Sequence, residues 1–263
     1  MTTLERIAEA LEAAVKSHSK FIPGAVHFDY KSGDDPVTEA DRAANHVLRE
    51  ILVRDGEGWL SEESVDDDVR LTRERVWVVD PLDGTREFVQ GIPEWCVSVG
   101  LVENGQAVAG GIANPATQET IIGSIEGGVR YNGKPVRASG RNTLTGASVL
   151  ASRSEVKRGE WKRFEGSPFV MRAMGSVAYK LALVAAGLAD ATWTLVPKHE
   201  WDVAAGVALV EAAGGFTEGL DGRAPTFNHK SALLAGLIAG GPGLRGEVDS
   251  LLEPHLASRS AGA

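Results

Sequence analysis

Apolar residues at Leu4, Ile7, Ala8, Leu11 and Val15 recur at helical spacing, so the chain opens with an amphipathic helix. The following stretch, HFDYKSGDDPV, is polar and irregular, the pattern of a loop. TEAD, from Thr38 to Asp41, has the form of a capping box, and Ala44, Val47, Leu48, Ile51 and Leu52 give a second helix its core face. GWLSEES reads as a short strand ending in Glu62 and Glu63, and RVWVVD as a buried strand. From Trp95 the pattern becomes two strands joined at Asn104-Gly105, a strong hairpin signal. QETIIGSIEGGVRYNGKPV adds another strand and a turn at Asn132-Gly133. The first half is therefore expected to place two helices on an antiparallel sheet.

The second half alternates. ASVLAS and FVMRAM read as strands, and SVAYKLALVAAG as a helix ending at Gly187. DATWTLV is a strand, WDVAAGVALVEAAGG a helix stopped by Gly214-Gly215, and SALLAGLIA a last strand. This alternation predicts an α/β unit with a mixed sheet. The small, polar run ASGRNTLTG suggests a boundary near residue 140. That divides the chain into an α+β domain over 1–140 and an α/β domain over 141–263.

Composition narrows the possibilities. A chain of 263 residues with 43% hydrophobic content can build a large core, in one domain or two tightly packed ones. A net charge of −9 repels phosphate backbones, which argues against nucleic-acid polymers as partners. An anionic small substrate would then need local positive charge. Cys96 is the only cysteine, which excludes an internal disulfide framework or a cysteine-based zinc site. The N-terminus lacks a signal pattern and no stretch is long enough to span a membrane, so the expected location is the cytoplasm, with no membrane partner.

The candidate chemistry lies in WVVDPLDGTREF, Trp77 to Phe88. Asp80 and Asp83 follow a buried run. Asp-Pro and Asp-Gly also occur in ordinary turns and caps. Against that reading, Glu62-Glu63 follows a second apolar stretch, and Asp202 begins another helix. Converging carboxylates repel unless cations neutralise them, and oxygen-only ligands select hard ions such as Mg²⁺ or Mn²⁺. If GTREF opens a helix, its free N–H groups favour a phosphate. Metals beside a phosphate cradle describe metal-assisted phosphoryl transfer to water.

LSEES, DPLDGTREF and WDVAAGVALVEAAGG together resemble the inositol monophosphatase superfamily of Mg²⁺-dependent, lithium-sensitive phosphatases, in that family's order and at similar spacing. The resemblance runs from about the first helix to Gly215. It implies alternating layers of helices and sheets, two or three Mg²⁺ ions, a small phosphorylated substrate and a homodimer. It also implies site roles. Glu62, Asp80, Asp83 and Asp202 match carboxylate metal ligands, and Leu82 matches a position that offers its backbone carbonyl. Gly84 and Thr85 match the phosphate-binding turn, and Asp41 matches the aspartate that orients Thr85 for activating water. Glu63, and Lys31 or Asp35 in the preceding loop, are further candidates without an assigned role.

Two departures bear on the substrate. Inositol phosphatases carry a glutamate seven residues before the helix aspartate, where it accepts from inositol hydroxyls; this chain has Leu195, unless Glu200 compensates. GSVAYK is similar to a Gly-Ser…Lys pattern of the 3′(2′),5′-bisphosphate nucleotidases, which makes Gly175, Ser176 and Lys180 candidate substrate residues. REF after DPLDGT also looks more like that branch. A second phosphate needs extra cations, and Lys180, Lys198, Arg86 or Arg172 are available. His199, beside Trp201, is either structural or substrate-lining. The expected activity is removal of the 3′-phosphate from adenosine 3′,5′-bisphosphate. The alternatives are an inositol-1-phosphate or other sugar phosphatase, histidinol phosphate included, or a metal-binding regulatory protein without turnover.

Overall fold

The computed structural model describes residues 1–30 and 36–260. Lys31 and Asp35 lie outside the described residues. The opening helix α1 (Thr3–His18) is capped reciprocally by Thr2 and Glu5. A small hairpin of β1 (Phe28–Tyr30) and β2 (Pro36–Thr38) follows where a loop is expected from the polarity of the segment. Its strands are three residues long, too short for alternation to show. Helix α2 (Glu39–Leu52) starts in the predicted capping box, in which Asp41 accepts from the Thr38 N–H.

Seven strands form the first sheet: β3 (Gly58–Ser61), β4 (Arg75–Asp83), β5 (Cys96–Glu103), β6 (Gln106–Asn114), β7 (Glu119–Ser124), β8 (Gly128–Tyr131) and β9 (Lys134–Val136), side by side in that order. A short helix, α3 (Thr85–Val89), leaves the end of β4. The predicted hairpins at Asn104-Gly105 and Asn132-Gly133 are present, with positive φ at all four residues. Within this sheet the β3–β4 pair is parallel and the other described pairs are antiparallel.

The second sheet is mixed, in the order β11-β10-β12-β16-β14. Its strands are β10 (Ser148–Ser152), β11 (Val170–Met174), β12 (Ala191–Thr194), β14 (Phe216–Glu218) and β16 (Leu237–Gly240). The last predicted strand, SALLAGLIA, is two elements. β15 (Leu233–Leu234) pairs with β13 (Lys198–His199), and β16 joins the main sheet. The break falls at Gly236, where a Cβ would come within 2.6 Å of the Thr194 carbonyl oxygen. The helices of this half are α4 (Arg153–Lys157), α5 (Val177–Ala185), α6 (Glu200–Ala212) and α7 (Arg245–Ser260).

Strand residues alternate between two cores. Trp77, Val79, Val97, Val99 and Leu101 pack with Ile7, Leu11, Ala44 and Leu48 of α1 and α2. Val76, Val78, Cys96 and Val102 face α5 and α6 instead. The same core reaches Leu150 and Ala239 of the second sheet, so it runs across residue 140. The far face of that sheet, with Val149, Trp193 and Ile238, packs on Leu244, Val248 and Leu252. Helices and sheets thus alternate in five layers. Helix α6 sits close to the first sheet: a Cβ on Gly110 would lie 2.4 Å from the Ala205 carbonyl oxygen, and one on its partner Gly100 2.9 Å from the Ala205 nitrogen. Among the described residues no helix is long and apolar enough to cross a membrane.

One buried group gives this scaffold a pH dependence. His18 is 1% exposed and packs edge-on to Trp95. Its nitrogens have no well-formed hydrogen bond. Burial lowers its pKa to about 4, only partly opposed by the Ala40 backbone. Below pH 6.5 the unfolded ring takes up a proton that the folded ring refuses until about pH 4. Stability from this group is therefore complete above pH 6.5 and declines as pH falls, by roughly 3 kcal/mol in all. Urea midpoints measured from pH 7 to 4 should fall more steeply for the parent chain than for His18→Leu. Parallel curves would show that His18 does not govern the acid limb.

Candidate functional site

On a regular strand, residues three apart face opposite sides of the sheet. Asp80 and Asp83 nevertheless meet, because the β4–β5 register shifts between them: Asp80 pairs with Ser98 and Asp83 with Cys96. Three steps on β4 thus match two on β5, and the extra residue returns Asp83 to the face of Asp80. Pro81 stands in the irregular stretch and has no N–H to lose. The Asp80 carboxylate accepts from the Leu82 N–H at 2.9 Å, which closes the bend.

The other acids arrive by different routes. β3 runs parallel to β4 with Ser61 beside Val79, so Glu62 comes alongside Asp80. The Glu62 N–H donates to the Val79 carbonyl at 3.3 Å. Asp202 is the third residue of α6, and its carboxylate accepts from the His199 N–H at 2.9 Å. One oxygen from each of Asp80, Asp83 and Asp202 lies within 4.8 Å of the others. Burial, followed by the charges of Glu62, Asp83 and Asp202, pushes Asp80 well above the usual carboxylate range. Burial and the Asp83 and Glu62 charges do the same to Asp202. Burial also raises Asp83, although it accepts from Ser176 Oγ at 2.7 Å and the Ala178 N–H at 2.6 Å. A cluster of oxygens that repel one another, without nitrogen or sulfur donors, fits a hard divalent cation.

Gly84 takes a left-handed conformation, φ +97°, and a Cβ there would lie 2.8 Å from the Glu94 carbonyl oxygen. The turn delivers Thr85 to the start of α3, where first-turn amides have no helical carbonyl to bond. Thr85 Oγ1 lies 3.1 Å from Asp41 Oδ1 and 3.0 Å from the Leu82 carbonyl oxygen. The other Asp41 oxygen accepts from the Thr38 N–H and hydroxyl, so the helix cap fixes the carboxylate that faces Thr85.

A cleft of about 270 Å³ brings together Glu62, Asp80, Leu82, Asp83, Gly84, Thr85, Gly175, Ser176, Lys180 and Asp202. Asp41 joins it through Thr85. Ser176 caps α5 at φ +51°. Lys180 is buried, donates from Nζ to the Ser176 carbonyl at 2.8 Å, and has its pKa lowered to about 8 by burial, against the pull of Asp83. Arg86, Lys198 and His199 also line the cleft, with His199 stacked on Trp201 at 4.3 Å between ring centres.

Some candidates lie elsewhere. Arg172 is exposed on β11 and does not line the cleft. Glu63 does not reach it; its N–H donates to Ser61 Oγ at 3.3 Å. Leu195 is buried in the core with Trp161, Phe164 and Trp193. Glu200 does not take its place: its fully buried carboxylate accepts from the Asn228 and His229 amides. Sequence reading missed Ser152, Arg153 and Ser154, which line the cleft at the end of β10 and the start of α4, and Glu87, whose carboxyl packs against Gly175. A signal was present in ASRS, an apolar strand ending in serine at a helix start, the same strand-to-helix form as at Asp83.

The family model for the inositol monophosphatase family matches residues 2–254. An inositol-1-monophosphatase of Mesorhizobium japonicum is 37% identical over 212 residues, covering 77% of this chain and 79% of that protein. A fructose-1,6-bisphosphatase/inositol-1-monophosphatase of Thermotoga maritima is 33% identical over 215 residues, 78% of this chain and 79% of that one. Among solved structures, the extragenic suppressor protein suhB of Bartonella henselae superimposes with a TM-score of 0.80 at 28% identity, over 94% of this chain and 97% of that one. The layered fold, the clustered acids and these likenesses agree: the chain belongs to the inositol monophosphatase family, whose members are metal-dependent phosphatases.

Proposed function

We propose that the chain is a Mg²⁺-dependent phosphomonoesterase whose preferred leaving group is a phosphorylated nucleotide, with adenosine 3′,5′-bisphosphate as the type substrate. The observation that carries this reading is the wall beside the acids. It presents Arg86, Lys198 and a stacked imidazole–indole pair, while Leu195 is withdrawn into a core. A polyol would leave hydroxyls without the acceptor expected there, and unpaired buried polar groups are costly. The relatives' names favour a second reading, inositol 1-phosphate, and Glu87 offers that substrate an acid in the same cleft.

In this scheme Glu62, Asp80, Asp83, Asp202 and the Leu82 carbonyl hold the ions. Bound divalent cations supply charge neutralisation and acidify water. Gly84 and the first amides of α3 orient the phosphoryl oxygens. Asp41 fixes the Thr85 hydroxyl, which directs the attacking water. Gly175 and Ser176 shape the leaving-group wall, and Lys180 adds a positive charge beside Asp83. The assembly consistent with the family is a homodimer, readable by sedimentation. kcat/KM on adenosine 3′,5′-bisphosphate, inositol 1-phosphate and histidinol phosphate, each with Mg²⁺, ranks the leaving groups. A higher value on inositol 1-phosphate would replace the nucleotide reading with the second one.

Lithium provides a further test of the metal site. A small monovalent cation held by these carboxylates would bring too little charge, so turnover should fall as lithium is titrated against fixed Mg²⁺. A flat titration would argue against lithium entering this cluster.

A further inference from the structure

Arg153 is the first residue of α4, directly after β10. Its Nε donates to Glu94 Oε2 at 3.1 Å, and its Nη2 reaches Oε1 and Oε2 at 2.7 and 2.6 Å. Glu94 Oε2 also accepts from the Gly175 N–H at 2.7 Å. One carboxylate, on the loop after α3, therefore ties together two parts of the cleft wall: the start of α4 and the turn before α5. The arginine side chain remains 39% exposed while lining the cleft, and none of these bonds uses its Nη1.

A guanidinium held along one edge has given up its rotamer freedom before any ligand arrives. An anion that meets the remaining N–H groups then forms directed bonds at a reduced ordering cost. Glu94, and Glu87 in the same cleft, offset the local charge, so recognition depends on aimed donors rather than on a long-range field. Two of the other cations that line the cleft are committed differently. Lys180 is buried against Ser176 and Asp83, and Lys198 lies 3.3 Å from the Glu155 carboxylate.

We propose that Arg153, positioned by Glu94, reads a second anionic group carried by the leaving group, the second phosphate of a bisphosphorylated substrate. Lys180, deeper among the acids, serves the reacting phosphate. The inference rests on the phosphomonoesterase reading but not on whether the leaving group is a nucleoside or a sugar.

The test measures kcat/KM of the full chain with Mg²⁺ on two matched pairs: adenosine 3′,5′-bisphosphate against adenosine 3′-monophosphate, and fructose 1,6-bisphosphate against fructose 1-phosphate. The parent chain is expected to prefer the bisphosphate in at least one pair. Arg153→Gln should lower that bisphosphate value by about 10- to 150-fold, the range for a lost charge-assisted contact, and change the monophosphate by less than about threefold. Glu94→Gln should erode the same preference mainly through KM, because it loosens the arginine without touching substrate. Arg153→Lys should recover only part of the preference, since one ammonium cannot serve Glu94 and substrate together. It carries the comparison if the glutamine variant does not fold. If the parent prefers neither bisphosphate, or if substitution lowers both members of a pair equally, Arg153 is only a clamp and the proposal falls. No turnover of any phosphomonoester would instead overturn the functional reading itself.

Discussion

Asp80→Asn is expected to lower kcat/KM by about a thousandfold or more while making the metal-free protein more stable. Asparagine preserves the shape of the side chain and can still accept from the Leu82 N–H. It removes a carboxyl that burial, followed by repulsion from Glu62, Asp83 and Asp202, holds well above its ordinary range. Removing the charge relieves the folded state at neutral pH, where the unfolded carboxyl is ionised without penalty. The same change takes a ligand from ions that contribute several kcal/mol to the transition state. Four thermal melts, parent and variant each in chelator and in Mg²⁺, and a rate measurement on each protein are sufficient. In chelator the variant should melt above the parent, and in Mg²⁺ the parent should rise while the variant does not. Activity near the parent's, or a variant melting below it in chelator, would mean that the acids do not form a cation site.

Thr85→Ala is expected to lower kcat by about 10²- to 10⁴-fold, the range for a lost group that positions or moves a proton, with KM altered only a few-fold. The hydroxyl has one proton and two acceptors within reach, Asp41 Oδ1 and the Leu82 carbonyl oxygen. If the Leu82 carbonyl holds a cation, it is no longer free to accept that proton, which leaves it to Asp41. Thr85→Ser keeps that arrangement and should restore most of the rate. Equal loss in the serine and alanine variants would show that the methyl, not the hydroxyl, is what matters.

How much of this was legible in the chain differs from element to element. The capping box at Thr38, the Asn-Gly hairpins and the helix bounded by Gly214 are local devices, and each occurs where its residues predict it. The acids were legible because carboxylates at the ends of apolar runs are costly without a partner. The β4 register shift was not, since a bulge is fixed by pairing with β5 and not by β4 alone. The β1–β2 hairpin and the split of SALLAGLIA involve strands of two to four residues, below the length at which alternation carries information. Arg153 escaped notice because its position depends on Glu94 and Gly175, distant in sequence and joined only by the fold.

The close seat of α6 on Gly100 and Gly110 has a kinetic consequence. Asp80 and Asp83 form their bend with β5, a near neighbour in the chain, whereas Asp202 arrives only when α6 docks from far along it. Closing so long a loop costs entropy, which places that docking late in folding. A cation that needs all three acids has little to bind in the folding transition state. Contacts absent from that state affect only the unfolding limb. Mg²⁺ is therefore expected to slow unfolding in proportion to the stability it adds and to leave the refolding rate unchanged. A refolding rate that climbs with Mg²⁺ would place the docking of α6 before the barrier.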